Sequence, residues 1–227
     1  MIKKLQESHV YDEWYLGDKE MYLDLPYYHS CYYPLFKEIL KQIKRQGIHL
    51  VLEVGCGNGA LAELLLEKAN IKYRGFDFSP VAIEKAITRT GHSELFYIAD
   101  ATLPESYDLF YDGIICTEVL EHIEQDLEVI QNWQTGITCI CSVPNFDSDY
   151  HTRYFRTKQE VVDRYGELID IDEIIMIKKP VLSNISWKNY LRELRWNRYR
   201  PRRLLEIIGL GSFDKVGGWF LFSGRRR

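Results

Sequence analysis

Apolar positions change period along the chain. His49-Leu-Val-Leu-Glu-Val54 is an almost unbroken aliphatic run, the pattern of a strand buried on both faces of a parallel sheet. Gly55, Gly57 and Gly59 follow at alternate positions, and Ala60–Lys68 then takes up a helical apolar spacing. Upstream, Leu35, Ile39, Leu40 and Ile43 share one face of a helix over Leu35–Arg45, with Gly47 as its stop. Downstream, Lys72–Phe78 reads as a second strand. Ser79 is its exit and the N-cap of a helix, Pro80 is the first helical residue, and Ile83, Ala86 and Ile87 form the apolar face. Leu95–Ala101, Tyr111–Thr117 and the end of Trp133–Pro144 supply three further strands. Strands alternating with helices predict an α/β chain with a doubly wound parallel sheet, whose ligands lie at the strand C-termini.

The turn after the first strand reads Glu53-x-Gly55-x-Gly57-x-Gly59. A dinucleotide fingerprint places its third glycine one residue later, and Glu53 suits a cationic ligand better than a pyrophosphate. A nicotinamide dehydrogenase on the same sheet is therefore disfavoured. Asp77 ends the next strand, where an open α/β sheet places the carboxylate that receives ribose hydroxyls.

This loop resembles motif I of the class I S-adenosylmethionine (SAM) methyltransferases. The resemblance implies a Rossmann-like, seven-stranded, mostly parallel sheet with an antiparallel last strand and helices on both faces. Leu168–Lys178 would be the sixth strand, Pro201–Ile208 a helix, and Gly217–Gly224 a last strand inserted as a hairpin partner. It implies a cofactor site of Glu53, Gly55, Cys56, Gly57, Gly59, Asp77, Phe78, Asp100, Ala101 and Thr117. Glu53 and the loop amides would face the amino-acid end of SAM, Asp77 the ribose, and Phe78, Asp100 and Ala101 the adenine. Residues 1–227 would form one domain, with the aromatic segment 1–46 as an N-terminal helical lid.

Two stretches carry candidate chemistry. Glu118, Glu121 and His122 fall at i, i+3 and i+4, so one helical turn would project all three to one side. Ser142–His151 brings Asn145, Asp147, Asp149 and His151 to the same edge. Carboxylates and imidazoles at this spacing can hold a divalent cation, or His122 and His151 can act as general bases. The E-x-x-E-H with a following Pro-Asn loop is similar to the ubiquinone-biosynthesis branch of O-methyltransferases. It is also similar to the small-RNA 3′-terminal 2′-O-methyltransferases, which implies Glu118, Glu121 and His122, with His151, as metal ligands.

Composition narrows the acceptor only a little. Hydrophobic content of 46%, charged content of 27% and a net charge of −4 in 227 residues are those of an ordinary globular chain. No apolar run reaches membrane-spanning length, the start lacks an apolar signal core, and the cysteines lack framework spacing. The expectation is a cytoplasmic protein with reduced core thiols. Arg192, Arg195, Arg198, Arg200, Arg202 and Arg203 crowd one stretch, either a solvated face or a site for an anionic acceptor. The expected function is methyl transfer from SAM to oxygen on a small-molecule or glycan-linked acceptor. The alternatives are a metal-assisted RNA or nucleotide 2′-O-methyltransferase and a non-catalytic SAM-binding protein.

Overall fold

The computed structural model describes residues 26–148, 150–178 and 217–227, together with Asp12, Leu191, Leu194, Arg195, Arg198, Tyr199 and Pro201. Seven strands form one sheet. They are β1 (Leu50–Val54), β2 (Lys72–Asp77), β3 (Phe96–Ile98), β4 (Gly113–Thr117), β5 (Thr138–Pro144), β6 (Ile169–Lys178) and β7 (Gly218–Arg226). Their order across the sheet is β3-β2-β1-β4-β5-β7-β6. All pairings from β3 through β5 are parallel. β7 is antiparallel to both β5 and β6, as a last strand inserted between them.

The chain winds outward from β1 to β3, then returns to place β4 on the other side of β1. Ligands in open α/β sheets collect at this switch point, outside the strand C-termini. In register, Val54 lies beside Phe76 and Cys116, and Thr117 beside Ser142. Because β7 runs the other way, its first residues reach this same edge, with Trp219 opposite Pro144.

Alternation along the strands divides the core between two faces. Val51, Ile115, Ile140, Trp219 and Leu221 face a cluster with Leu35, Ile39, Ile43, Leu61, Leu65 and Ile83. Those partners come from α1 (Tyr33–Gln46), α2 (Ala60–Lys68) and α3 (Pro80–Thr90). Leu52, Val54, Ile114, Cys116, Cys141 and Phe222 face the opposite cluster with Val129, Ile130, Val161 and Tyr165. Those belong to α4 (Asp126–Gln131) and α5 (Lys158–Tyr165). The Ser79 hydroxyl accepts from Ala82 N at 3.1 Å as the N-cap of α3, worth about 1 kcal/mol. The described cysteines are all free thiols.

Two expectations change in detail. β3 is only Phe96–Ile98, so Asp100 and Ala101 stand in the loop beyond it. The part of the 1–46 segment that is described, 26–46, packs α1 on the core and bonds the Tyr27 hydroxyl to Glu67 Oε2 at 2.7 Å. The aromatics Tyr11, Trp14, Tyr15 and Tyr22, and most of the expected Pro201–Ile208 helix and arginine-rich stretch, lie outside the described residues. Among the described residues no helix is long and apolar enough to cross a membrane.

Candidate functional site

The glycine loop leaves β1 with Gly55, Gly57 and Gly59 all at positive φ (67°, 52° and 74°), a region that costs little only for glycine. A Cβ on Gly55 would overlap the Val119 side chain, and one on Gly59 would stand 3.0 Å from Ala86 Cα. Gly55 thus lets the turn after β4 close over the loop, and Gly59 lets α2 approach α3. At these two positions the space is taken by the chain's own packing, not kept for a ligand.

Asp77 ties this loop to the next one. Its Oδ2 accepts from Gly57 N and its Oδ1 from Ser79 N, each at 3.0 Å. Burial pushes its carboxyl up to about 6, against the pull of those amides. The Ser79 hydroxyl also donates to Asp12 Oδ1 at 2.5 Å, which brings a carboxylate of the N-terminal segment beside Asp77. Glu53 is 2% exposed and its Oε2 accepts from the Tyr73 hydroxyl at 2.6 Å. Its carboxyl is therefore enclosed beneath the loop. Burial raises it to about 8, with the Asp77 charge adding to the shift. Cys56 N donates to Phe76 O at 2.9 Å, and its thiol is buried and pushed well up by desolvation.

Along the edge, Phe78 is half-buried and Asp100 exposed. Asp100 Oδ1 accepts from both the amide and the hydroxyl of Thr102 at 2.8 Å. The carbonyl of buried Ala101 accepts from the Tyr107 hydroxyl at 2.8 Å. Thr117 closes β4, half-buried beside Ser142.

The second group lies after β4. The expectation that Glu118, Glu121 and His122 project to one side requires a continuous helical turn, and the backbone does not provide one. Glu118 takes a left-handed φ of 58°, and a 3-10 turn spans only Leu120–His122. Glu118 turns toward the sheet, where Oε1 accepts from Ser142 Oγ at 2.9 Å and Oε2 from Trp219 Nε1 at 2.5 Å. It stands outside the group that could hold a metal, which consists of Glu121, His122 and His151 with ligand atoms all within 4.8 Å of one another.

Glu121 is completely buried, and neither carboxylate oxygen has a hydrogen-bond partner among the described residues. Burial, then the nearby Glu118 charge, pushes its carboxyl well above the usual range. His122 Nδ1 lies 2.9 Å from Tyr150 O, and His151 Nδ1 3.2 Å from Phe146 O. A carbonyl only accepts, so each ring donates its Nδ1–H there, and in His122, whose charged form burial disfavours, Nε2 carries the lone pair. The His122 Nε2 is 3.8 Å from Glu121 Oε1, and the two rings sit edge to face at 5.1 Å. Burial lowers His122 to about 4. The loop carrying His151 is tied to β7, because Asn145 Oδ1 accepts from Gly218 N at 2.7 Å. Asp147 is exposed, and Asp149 is outside the described residues.

Tyr73, Ser142 and Trp219 escaped the sequence reading. Each sits on a strand far from its acidic partner in the chain, so no local spacing announces it.

Residues 52–138 match the family model described as a methyltransferase domain. They include the glycine loop, Asp77, Asp100 and the Glu118–His122 turn. Over residues 52–138 the chain is thus similar to a methyltransferase domain.

A ubiquinone biosynthesis O-methyltransferase of Coxiella burnetii is 33% identical over 99 residues, which cover 42% of this chain and 42% of that protein. The chain thus spans under half the length of the curated relatives it matches. The domain superposes on the N-methyltransferase NodS of Bradyrhizobium japonicum, solved with S-adenosyl-L-homocysteine (SAH), with a TM-score of 0.60. Identity there is 18%, with 96% of this chain and 97% of that one covered. It also superposes on the [4+2]-cyclase SpnF with a TM-score of 0.54 and 15% identity, over 78% of this chain and 75% of that one. The methyltransferase fold is therefore shared with a protein named for a different reaction.

Proposed function

We propose that the chain transfers a methyl group from SAM to an oxygen of a small-molecule acceptor, and that residues 1–227 act as one methyltransferase domain. The observation that carries this reading is the meeting, at one sheet edge, of the Asp77-braced glycine loop and the Glu121–His122–His151 group. O-methyltransferase relatives and an SAH-bound structural neighbour support it.

The cradle fits SAM. Gly57 N and Ser79 N already orient the Asp77 carboxylate, so it can receive ribose hydroxyls without rearranging. Phe78 and Ala101 flank the adenine side with Asp100 at its rim, and Thr117 bounds the methionine side. Gly55, Cys56, Gly57 and Gly59 line the turn. Glu53 supports the loop from below through Tyr73, and its charge becomes favourable when a cation lies above it. SAM, when bound, supplies the electrophilic methyl carbon. The protein aligns it with the acceptor and removes the acceptor's proton.

His122 and His151 are suited to that second task, since each ring is held through Nδ1–H, which leaves Nε2 as the acceptor atom of the neutral form. The group also fits a divalent cation, because Glu121 offers two buried oxygens with no described partner and the imidazoles complete the donor set. Such a cation would lower the pKa of a bound hydroxyl. Glu118 holds the turn to β5 and β7 and is not one of its ligands.

Calorimetric titration tests the reading. SAM and SAH should bind with micromolar affinity, Asp77→Ala should abolish binding, and phenolic or catecholic acceptors should yield SAH. Failure of SAM and SAH to bind the wild-type chain, with or without Mg²⁺, Mn²⁺ or Zn²⁺, would overturn it.

A further inference from the structure

Glu121 and His122 follow β4, while His151 follows β5, so the group is assembled from two separate loops. Their spacing depends on what ties those loops together. Two residues immediately after His151 make that connection. Thr152 donates to Glu121 O through its amide at 2.7 Å and through its hydroxyl at 2.8 Å. Arg153 then reaches under the turn. Its Nη1 donates to Leu120 O and to Ile123 O at 2.5 Å, and its Nη2 to Glu124 O at 3.0 Å.

Leu120 O also accepts from Ile123 N at 3.4 Å within the 3-10 turn that bears Glu121 and His122, and Ile123 O and Glu124 O follow just past its end. A planar guanidinium spreads five donors over two terminal nitrogens and Nε and so reaches several of these carbonyls at once, whereas an ammonium has three donors on one atom. The same Nη1 lies 3.1 Å from Asp126 Oδ2, a carboxylate with no solvent exposure. Asp126 is held in turn by Arg164 at 2.6 Å and by the Tyr165 hydroxyl at 2.8 Å, both from α5. Asp126 already has a charge partner in Arg164, so neutralising it does not require Arg153. What Arg153 alone supplies is the bridge from the buried carboxylate to the turn.

We propose that Arg153 is a positioning residue. Anchored on Asp126, it clamps the Leu120–Glu124 turn against the Tyr150–Thr152 loop and sets the distance at which Glu121, His122 and His151 meet. This rests on the reading of those three residues as the acceptor-side group of the site. Arg153 makes its hydrogen bonds to the turn through backbone carbonyls, and its charge also draws the Glu121 carboxyl down against the effect of burial. Arg164, by contrast, holds Asp126 from the far side without touching the turn, so the two arginines separate positioning from simple stability.

The test uses the full chain and Mn²⁺ or Zn²⁺ alone as probe, titrated calorimetrically into wild type, Arg153→Ala, Arg153→Lys and Arg164→Ala. SAH titration and the thermal midpoint report on folding. The ring ¹⁵N signals of His122 and His151 report the tautomer without any metal. Arg153→Ala should weaken cation binding by about 10- to 100-fold and leave SAH affinity within about twofold. It should also convert the single Nδ1–H form of His122 into a mixture. Arg153→Lys should fall between wild type and Arg153→Ala. Arg164→Ala should lower the thermal midpoint while leaving cation affinity and both tautomers as in wild type.

Wild-type cation affinity and unchanged ring signals in Arg153→Ala would overturn the proposal and leave Arg153 a stability element. If the wild-type chain binds no cation, the metal reading of the group fails on its own. The ring signals of Arg153→Ala then decide the positioning role, upheld if His122 becomes mixed and overturned if it does not.

Discussion

The two halves of the site are built on opposite principles. On the proposed cofactor side, the Asp77 carboxylate is already oriented by backbone, with one oxygen on Gly57 N and the other on Ser79 N. On the acceptor side, Glu121 is buried to the same degree or more, and neither of its oxygens has a partner among the described residues. A satisfied buried carboxylate organises the backbone around it, whereas an unsatisfied one costs stability and is kept for what it will bind. The proposed cofactor half is thus braced by its own amides, whereas the proposed acceptor half is built around a buried carboxylate with no described partner.

The contrast is broken most severely at Asp77. Asp77→Ala strands the Gly57 and Ser79 amides that its carboxylate holds and removes the carboxylate itself. Loss of charge-assisted hydrogen bonds of this kind should weaken SAH by about 100-fold or more, as calorimetry would register.

Gly55→Ala comes next, and its effect is on the fold. The added Cβ meets the Val119 side chain at a residue with φ of 67°, so chemical denaturation should show a loss of about 2–4 kcal/mol. Adding Val119→Ala should recover only part of it, because the backbone strain remains.

Glu121→Leu sharpens the comparison by reversing its sign. Removing an unpartnered buried carboxyl should raise the stability of the ligand-free chain by about 1–3 kcal/mol while abolishing turnover. A fall in the thermal midpoint would mean that Glu121 is satisfied in solution.

The smallest effect concerns Glu53. Its carboxyl rises from 4.5 to about 8 on folding, so the folded chain holds that proton more tightly than the unfolded one. The stability this contributes is complete below pH 4.5 and is lost as pH climbs to about 8. Thermal midpoints of the ligand-free chain should fall across that window, and Glu53→Gln should reduce the fall. An unchanged slope would place the Glu53 carboxyl in contact with water.

The cofactor half was the legible half because its parts are local or one strand apart. Alternating glycines follow a buried run, Ser79-Pro80 opens α3, and Asp77 ends β2, all as expected from the chain. The acceptor half was legible only as a set of residue types. Glu118, Glu121 and His122 share a helical spacing, but the turn is 3-10 and begins from a left-handed Glu118. Spacing therefore grouped Glu118 with a cluster that the folded backbone assembles from Glu121, His122 and His151 instead. The loss of Glu118 to Ser142 and Trp219 depends on strands β5 and β7 lying beside β4, which no window of sequence contains.

The amino-acid sequence by itself determined the doubly wound sheet, the glycine turn and the carboxylate at its edge. Hydrophobic period, turn chemistry and capping act over a few residues and leave their mark there. Only the tertiary structure decided which acidic side chains remain available for chemistry. That follows from which partners the sheet brings within hydrogen-bond reach. Trp219 draws Glu118 away, Tyr73 encloses Glu53, and Asp126 with Arg153 holds in place the turn on which Glu121 is left without a described partner.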